Sequence, residues 1–252
     1  MHSTEVAGGV RQDNPSVERL SDQAFGRLYE AIIRCELTPG ALVSEPQLEQ
    51  AFGFSRVALR LAVDRLGQMQ LIQSLHRRGY RIAPITLRDV KNTFELRTIV
   101  EPAAAQQAAS RVDVNRLRAL NERCSKPAEP GNRALEAELI GANREFHMLI
   151  AQSANNEKLA ALIEQLLGDT ERVYYFGLVR DPRFKQMQHD HTLLIDALAR
   201  GDGEEAARVA REHVESGYRI VLDAILNSSG LADANIASLG PGVRHSGSAA
   251  AP

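Results

Sequence analysis

Three histidines, His147, His191 and His213, stand on the apolar stripes of three different predicted helices. His147 lies between Ile140 and Ile150, His191 shares its stripe with Leu194, Ile195 and Leu198, and His213 shares its stripe with Val209, Ala210 and Ile220. Asn143 sits one turn before His147 and so shares its helix face. Apolar stripes face a core. Neutral imidazole is the commonest protein ligand for Zn²⁺ and also suits Ni²⁺ or Fe²⁺. Three rings and one amide oxygen would hold a divalent metal and leave coordination positions open for water or a carboxylate. A lone histidine on such a stripe reads as a satisfied core residue; three on three helices point to a shared centre. Such a trio supports hydrolytic or oxygen chemistry in a metal-dependent enzyme, yet no Asp or Glu stands out beside it as a general base.

A second group of residues has a different chemistry. Residues 55–84 carry Arg56, Arg60, Arg65, Arg77, Arg78 and Arg81 against Asp64 alone, whereas residues 20–54 are acid-rich. A basic stretch of that kind is a candidate phosphate-facing surface. Arg56 and Arg60 are one turn apart, and arginine can bridge guanine O6 and N7 with two hydrogen bonds. Ser55 at a helix start suits a phosphate.

The elements that must position these residues are legible from spacing and punctuation. Ser21 is expected to cap a helix with Phe25, Leu28, Ile32 and Ile33 on its apolar face. Pro39-Gly40 marks a turn. Ser44-Glu45-Pro46-Gln47 is a capping-box pattern that opens a second helix, and Gly53 closes it. Ser55 then caps a third helix, which completes a helix-turn-helix. Leu71–Leu75 and Tyr80–Ala83 read as two short strands joined at His76-Arg77-Arg78-Gly79, a wing whose Gly79 can take positive φ and whose Arg77 and Arg78 sit at the tip. After Pro84 nearly everything has helical period: helices are expected over 86–110, 113–125, 132–153, 156–179, 184–200 and 203–226. The expected fold is mainly α, a winged helix-turn-helix followed by an all-α six- to seven-helix bundle. The domain expectation is a disordered arm at 1–16, a DNA-binding domain at 17–84, an effector-binding and dimerisation domain at 85–227, and a flexible Gly/Ser/Ala-rich tail at 228–252.

Composition narrows the class. The 252 residues are 44% hydrophobic and 25% charged, with no tryptophan, as in an ordinary globular protein. Cys35 and Cys124 cannot build a disulfide framework and read as reduced thiols. No apolar run reaches a membrane span, and the first residues lack the apolar core of a secretory signal, so the expectation is a cytoplasmic protein without membrane contact.

Ile33, Leu37-Thr38-Pro39-Gly40, Leu42, Glu45, Leu48, Gly53-Phe54-Ser55-Arg56, Leu59-Arg60, Leu66, Leu71-Ile72 and Arg78-Gly79 resemble the winged helix-turn-helix of the GntR superfamily. The resemblance implies a bacterial transcription regulator that binds a palindromic, two-half-site operator in double-stranded DNA as a homodimer. It implies DNA contacts at Ser55, Arg56, Arg60 and Gly79, and Val57 stands where many members carry a hydroxyl used for DNA. Pro46 stands where some members place a DNA-contacting arginine. Phe94-Glu95-Leu96-Arg97, Glu101-Pro102-Ala103-Ala104, Asn143-x-x-Phe146-His147, Asn155, His191 and His213 are similar to the FCD effector domain of the FadR-like branch. That likeness implies a divalent metal held by Asn143, His147, His191 and His213. Aspartate is the commoner first ligand; neutral Asn143 leaves the site more positive, which favours an anionic effector.

Arg97 is a second pocket candidate, placed to pair with an effector carboxylate; an ion pair with Glu101, four residues on, is its structural alternative. Tyr174 and Tyr175 read equally as pocket lining or packing. The leading expectation is a ligand-responsive transcription regulator that binds a small organic acid at a divalent metal, most simply Zn²⁺, with Ni²⁺ or Fe²⁺ also suited. A regulator that senses the metal directly and a metal-dependent enzyme are the alternatives.

Overall fold

The computed structural model describes residues 15–127, 132–178 and 186–227. The expected arm, apart from Pro15 and Ser16, and the expected tail lie outside the described residues, as does the expected break at Asp181-Pro182. By contacts the chain divides into two units. The first runs through Ile32 and resumes over Glu36–Ala83; the second comprises Ile33–Cys35 and everything from Pro84.

The first unit contains three helices and a small sheet. Helix α1 (Pro15–Ile33) begins earlier than the expected cap at Ser21. Ser21 lies buried within it rather than capping it. Its apolar face is Ala24, Leu28, Ala31 and Ile32, all buried. Strand β1 (Leu42–Val43) leads into α2 (Glu45–Phe52). The Ser44 hydroxyl accepts from the Gln47 backbone N–H at 3.4 Å while the Ser44 N–H donates to the Gln47 side-chain Oε1 at 2.8 Å, which is the reciprocal capping box. Gly53 ends α2 at φ 72°, and Ser55 caps α3 (Arg56–Gln68). Helix α3 buries Ala58, Leu59, Ala62, Val63 and Leu66 along one stripe. Each fully buried leucine there contributes about 1.5–3 kcal/mol. The stripe turns Arg56, Val57 and Arg60 outward.

Strands β2 (Ile72–Leu75) and β3 (Gly79–Ile82) form the antiparallel wing, with Leu75 opposite Gly79. The sheet has three strands, ordered β1-β3-β2, where a two-stranded hairpin was expected. β1 is two residues long, too short to show alternation in a sequence. Its presence explains Gly79. That residue sits at φ 87°, and a Cβ there would collide with the Val43 carbonyl oxygen of β1.

The second unit is helical: α4 (Leu87–Ala108), α5 (Val114–Cys124), α6 (Arg133–Ser153), α7 (Glu157–Val173), a π-helical turn (Tyr174–Leu178), α8 (Gln186–Ala199) and α9 (Gly203–Asn227). α4 packs on α9, α7 and α6, α5 on α6 and α8, and α8 on α9. Pro102 lies inside α4, where its missing N–H strands the carbonyl of Thr98. Arg211 on α9 donates to that carbonyl at 2.8 Å, so the neighbouring helix repairs the break. Among the described residues the six helices bury several apolar clusters, two of which adjoin the histidines. One includes Phe146, Ile150, Leu194, Ile195, Val209 and Ala210; the other includes Val90, Phe94, Ile140, Val173, Val214 and Val221. Along α6 and α9 the histidines stand where one cluster gives way to the other. Among the described residues no helix is long and apolar enough to cross a membrane.

The close approach at Gly79 makes a first prediction. Gly79→Ala is expected to destabilise the winged unit by about 2 kcal/mol or more through positive φ and the collision with β1. Urea unfolding followed through the wing amides by hydrogen exchange would show early loss of β1–β3 protection. An exchange pattern like that of the original protein would remove this account of the glycine.

Candidate metal centre and DNA-reading face

α6 carries His147, α8 carries His191 and α9 carries His213, and the three rings meet in the interior of the helical unit. Ring centroids are 5.5 Å apart for His147 and His191, 5.1 Å for His147 and His213, and 4.6 Å for His191 and His213. One ligand nitrogen from each lies within 4.8 Å of the others. All three residues are at most 3% exposed. His147 Nε2, His191 Nε2 and His213 Nδ1 are buried without a hydrogen-bond partner among the described residues. Orphaned buried acceptors are costly, and a divalent cation is the partner that three converging imidazole lone pairs suit. Burial pushes the His213 pKa down to about 3, with His147 adding to the effect. Burial likewise holds His191 well below the usual histidine value, helped by His213 and His147. Both rings are therefore neutral, the form that binds a metal.

The opposite nitrogens are held in place. His147 Nδ1 is 2.9 Å from Glu101 Oε2, and His191 Nδ1 is 3.2 Å from Asn121 Oδ1. Each contact makes Nδ1 the protonated nitrogen and turns Nε2 inward, the orienting role of outer-sphere partners at metal sites. Phe146 stacks on His191 at 4.3 Å and fixes that ring's plane. Asn143, the expected fourth ligand, is buried on the same face of α6 as His147.

Arg97 is engaged. Its Nε donates to Glu101 Oε1 at 2.5 Å and its Nη1 donates to the Thr170 hydroxyl at 3.1 Å, with Tyr174 near enough to act on it electrostatically. Burial alone would raise the Glu101 pKa; Arg97 and His147 outweigh it and keep the carboxyl well below the usual range. The ion pair foreseen as the alternative role of Arg97 is thus formed, and its carboxylate also orients His147. Sequence reasoning did not assign Glu101, Asn121 or Thr170 to the centre. Glu101 had a signal, one turn after Arg97; Asn121 and Thr170 had none. The cavity beside the triad is lined by Glu101, His147, Ile150, Ile163, Leu194 and Ala210 and has room for about one water molecule. His189 lies on α8, and its side chain falls outside the described residues.

The second candidate site is in the first unit. Ser55, Arg56, Val57, Arg60, Arg77 and Arg78 are all exposed, with Val57 at 59%. Gly79 is half-buried, and its role is fitting β3 to β1. Arg65 packs over the Phe25 ring at 4.0 Å and pairs with Asp22 at 2.5 Å. Arg56 and Arg60 are drawn towards α2: Arg56 Nε is 2.7 Å from Glu49, and Arg60 makes two bonds to Glu45. The outward side chains on α3 and the wing tip are what a helix placed in a major groove needs.

Comparison with known proteins agrees with both halves. Residues 20–82 match the model of the bacterial regulatory proteins, gntR family, and residues 92–216 match the FCD domain. The chain is 26% identical over 204 residues to the HTH-type transcriptional repressor RspR of Escherichia coli K12, covering 81% of this chain and 89% of that one. It is 25% identical over 207 residues to a probable D-xylose utilization operon transcriptional repressor of Paenarthrobacter nicotinovorans, covering 81% and 88%. Among solved structures, E. coli McbR/YncC superposes with a TM-score of 0.70 at 20% identity, over 81% of this chain and 97% of that one. A transcriptional regulator of the same kind from Rhodococcus sp. RHA1 gives 0.65 at 24%, over 82% and 99%. At those identities the structures speak to the fold.

The buried pair generates the second prediction. Arg97→Ala would leave Glu101 without its main counter-charge, at an expected cost of about 3–5 kcal/mol. For a unit of this size that lowers the unfolding midpoint by roughly 10 °C. Circular dichroism at 222 nm reads the transition, and a midpoint within measurement error of the original would show that the pair does not organise the helices.

Proposed function

The chain belongs to the gntR family of bacterial regulatory proteins and is a DNA-binding transcription regulator rather than an enzyme, and from that premise we propose that its helical unit binds a small organic acid at a divalent metal and so controls DNA binding. In this reading residues 17–84 read DNA, residues 85–227 bind the effector and dimerise, and the regulator acts in the cytoplasm, where its operator is. The observation that supports the metal is the set of three buried, unpartnered imidazole nitrogens. His147, His191 and His213 would hold the ion, with Asn143 the fourth candidate. Zn²⁺ fits three imidazoles best, and Ni²⁺ or Fe²⁺ also suit them. When bound, the ion supplies a positive centre that draws an anionic ligand.

Charge supports a carboxylate effector. His191 and His213 are held neutral by burial, Asn143 carries no charge, and Glu101 is balanced by Arg97, so the ion's own charge is left uncompensated for an acid to meet. Space supports a conformational response. The cavity on the His147 side of the centre, which neither His191 nor His213 lines, takes about one water, so an organic acid entering there must widen it. An effector that binds only the widened arrangement shifts the balance between two arrangements by its differential affinity. In a homodimer that shift alters the spacing of two winged units on a two-half-site operator in double-stranded DNA. Ser55, Arg56, Val57, Arg60, Arg77 and Arg78 are the proposed contacts, and exposed Val57 suits a thymine methyl. The small cavity also favours a second reading, in which the ion itself is the signal.

Elemental analysis with native mass spectrometry of the purified protein tests the centre. About one divalent ion per chain is expected, lost in His213→Ala and bound 10–100-fold more weakly in Glu101→Gln. Full metal content in His213→Ala would overturn the ligand set. Footprinting is expected to show two half-sites about one helical turn apart, and failure to bind any promoter-proximal fragment at low salt would count against the operator reading. Titrating DNA affinity against metal alone and against carboxylic acids separates the two signals.

A further inference from the structure

The Glu45 carboxylate is where α2, α3 and the wing meet. Arg60 on α3 donates Nε to Oε2 at 3.0 Å and Nη2 to Oε1 at 3.1 Å, a two-pronged contact along one side of the guanidinium. Tyr80 on β3 donates its hydroxyl to Oε2 at 3.2 Å. Arg56 Nε lies 3.9 Å from Oε1 while bonding Glu49 at 2.7 Å. The Glu45 side chain is 19% exposed and Tyr80 is 8% exposed, whereas the Arg60 side chain is 65% exposed. A half-sheltered anion, anchored by a buried tyrosine, thus grips a solvent-facing arginine. The arginine's ionised partner is no surprise; the geometry of the grip is informative. A guanidinium has five donors in a fixed fork. With Nε and one Nη2 hydrogen taken by Glu45, both Nη1 hydrogens and the second Nη2 hydrogen remain. Those form the end-on edge that bridges guanine O6 and N7.

We propose that Glu45 is a positioning residue for base readout: it aims the free edge of Arg60 from the recognition helix at a guanine. The inference rests on the reading of Arg60 as a base contact. It runs against the simple electrostatic expectation that an acidic residue beside a DNA-facing surface weakens binding by repelling phosphate. A long arginine side chain free to sample many rotamers also reaches phosphates, which gives affinity without sequence information. Fixing it from the side trades that contact for a directed one. The same carboxylate uses Tyr80 to tie the aim to the wing, so recognition helix and wing share one anchor.

The test uses the full-length protein and a duplex that it selects from random-sequence DNA, with companion duplexes in which each G·C pair is replaced by A·T. Affinities for these and for non-specific DNA are measured at one fixed salt concentration, because salt alone moves them. Glu45→Gln is expected to reduce discrimination at one guanine position per half-site roughly tenfold, while affinity for non-specific DNA stays equal or rises. Tyr80→Phe is expected to give a smaller loss at the same position, and it serves as the second probe should Glu45→Gln unfold the winged unit. In an Arg60→Ala background, Glu45→Gln is expected to change discrimination nowhere. Two results overturn the proposal: Glu45→Gln tightening specific and non-specific binding by the same factor, which is charge repulsion alone, or the same loss with and without Arg60, which is a structural prop. If Arg60→Ala alone keeps full discrimination at every guanine, the assignment of Arg60 itself falls and the proposal with it, a failure recognisable without any Glu45 variant.

Discussion

Glu101 is a carboxylate almost sealed from water, with two oxygens and two partners: Arg97 on one and His147 on the other. A buried anion has to be matched by charge and hydrogen bonds or it protonates. That requirement fixes much of the helical unit. α4 supplies both Glu101 and Arg97, one turn apart. α7 supplies Thr170 to the far side of the guanidinium, and α6 supplies His147. Three helices are thereby set in register by one polar chain. Its end decides which nitrogen of His147 faces inward, so the geometry of the histidine centre follows from a residue that does not belong to it.

Stability alone does not call for such a chain. Buried ion pairs replaced by well-packed apolar groups are often neutral or better in stability, and apolar clusters adjoin the centre on both sides along α6 and α9. Imidazole nitrogens left without partners add a further cost. The polar interior is thus poorly explained as packing and well explained as a place where an ion is bound. A ligand that binds only the folded state stabilises it by its own binding free energy, so occupancy and order of the helical unit are expected to rise together.

What could be read in advance depended on whether a signal was local. Ser44 with Gln47, Gly53, Ser55 and the positive φ of Gly79 are determined within a few residues, and each appears in the structure as the spacing implied. The convergence of His147, His191 and His213 was legible because each broke an apolar stripe. The partners that orient them were not. Asn121 is 70 residues from His191, and many Asn residues on polar faces look the same. Strand β1 was hidden because two residues carry no period. The repair of Pro102 by Arg211 needs the packing of α4 on α9, which no local pattern encodes. Glu45 and Glu49 looked like the acidic half of a charge asymmetry; only the fold shows them gripping the arginines of the basic half.

Each unit therefore contains an arginine held by a carboxylate, and the difference in burial separates their roles. The Arg60 pair faces solvent, where such contacts are weak and screened by salt. Its guanidinium keeps an open edge and can share itself with DNA without first losing Glu45. The Arg97 pair is sealed, and its donors are committed to Glu101 and Thr170. An effector carboxylate could reach Arg97 only by displacing one of these partners, and displacing Glu101 would release His147 as well. On the proposed reading the acid's first contact is therefore the ion, through coordination positions that three histidines leave open, with Arg97 acting on it through Glu101 and His147. Effector affinity should then depend on the metal more steeply than on the arginine, which reverses the order of importance that spacing on α4 alone suggests.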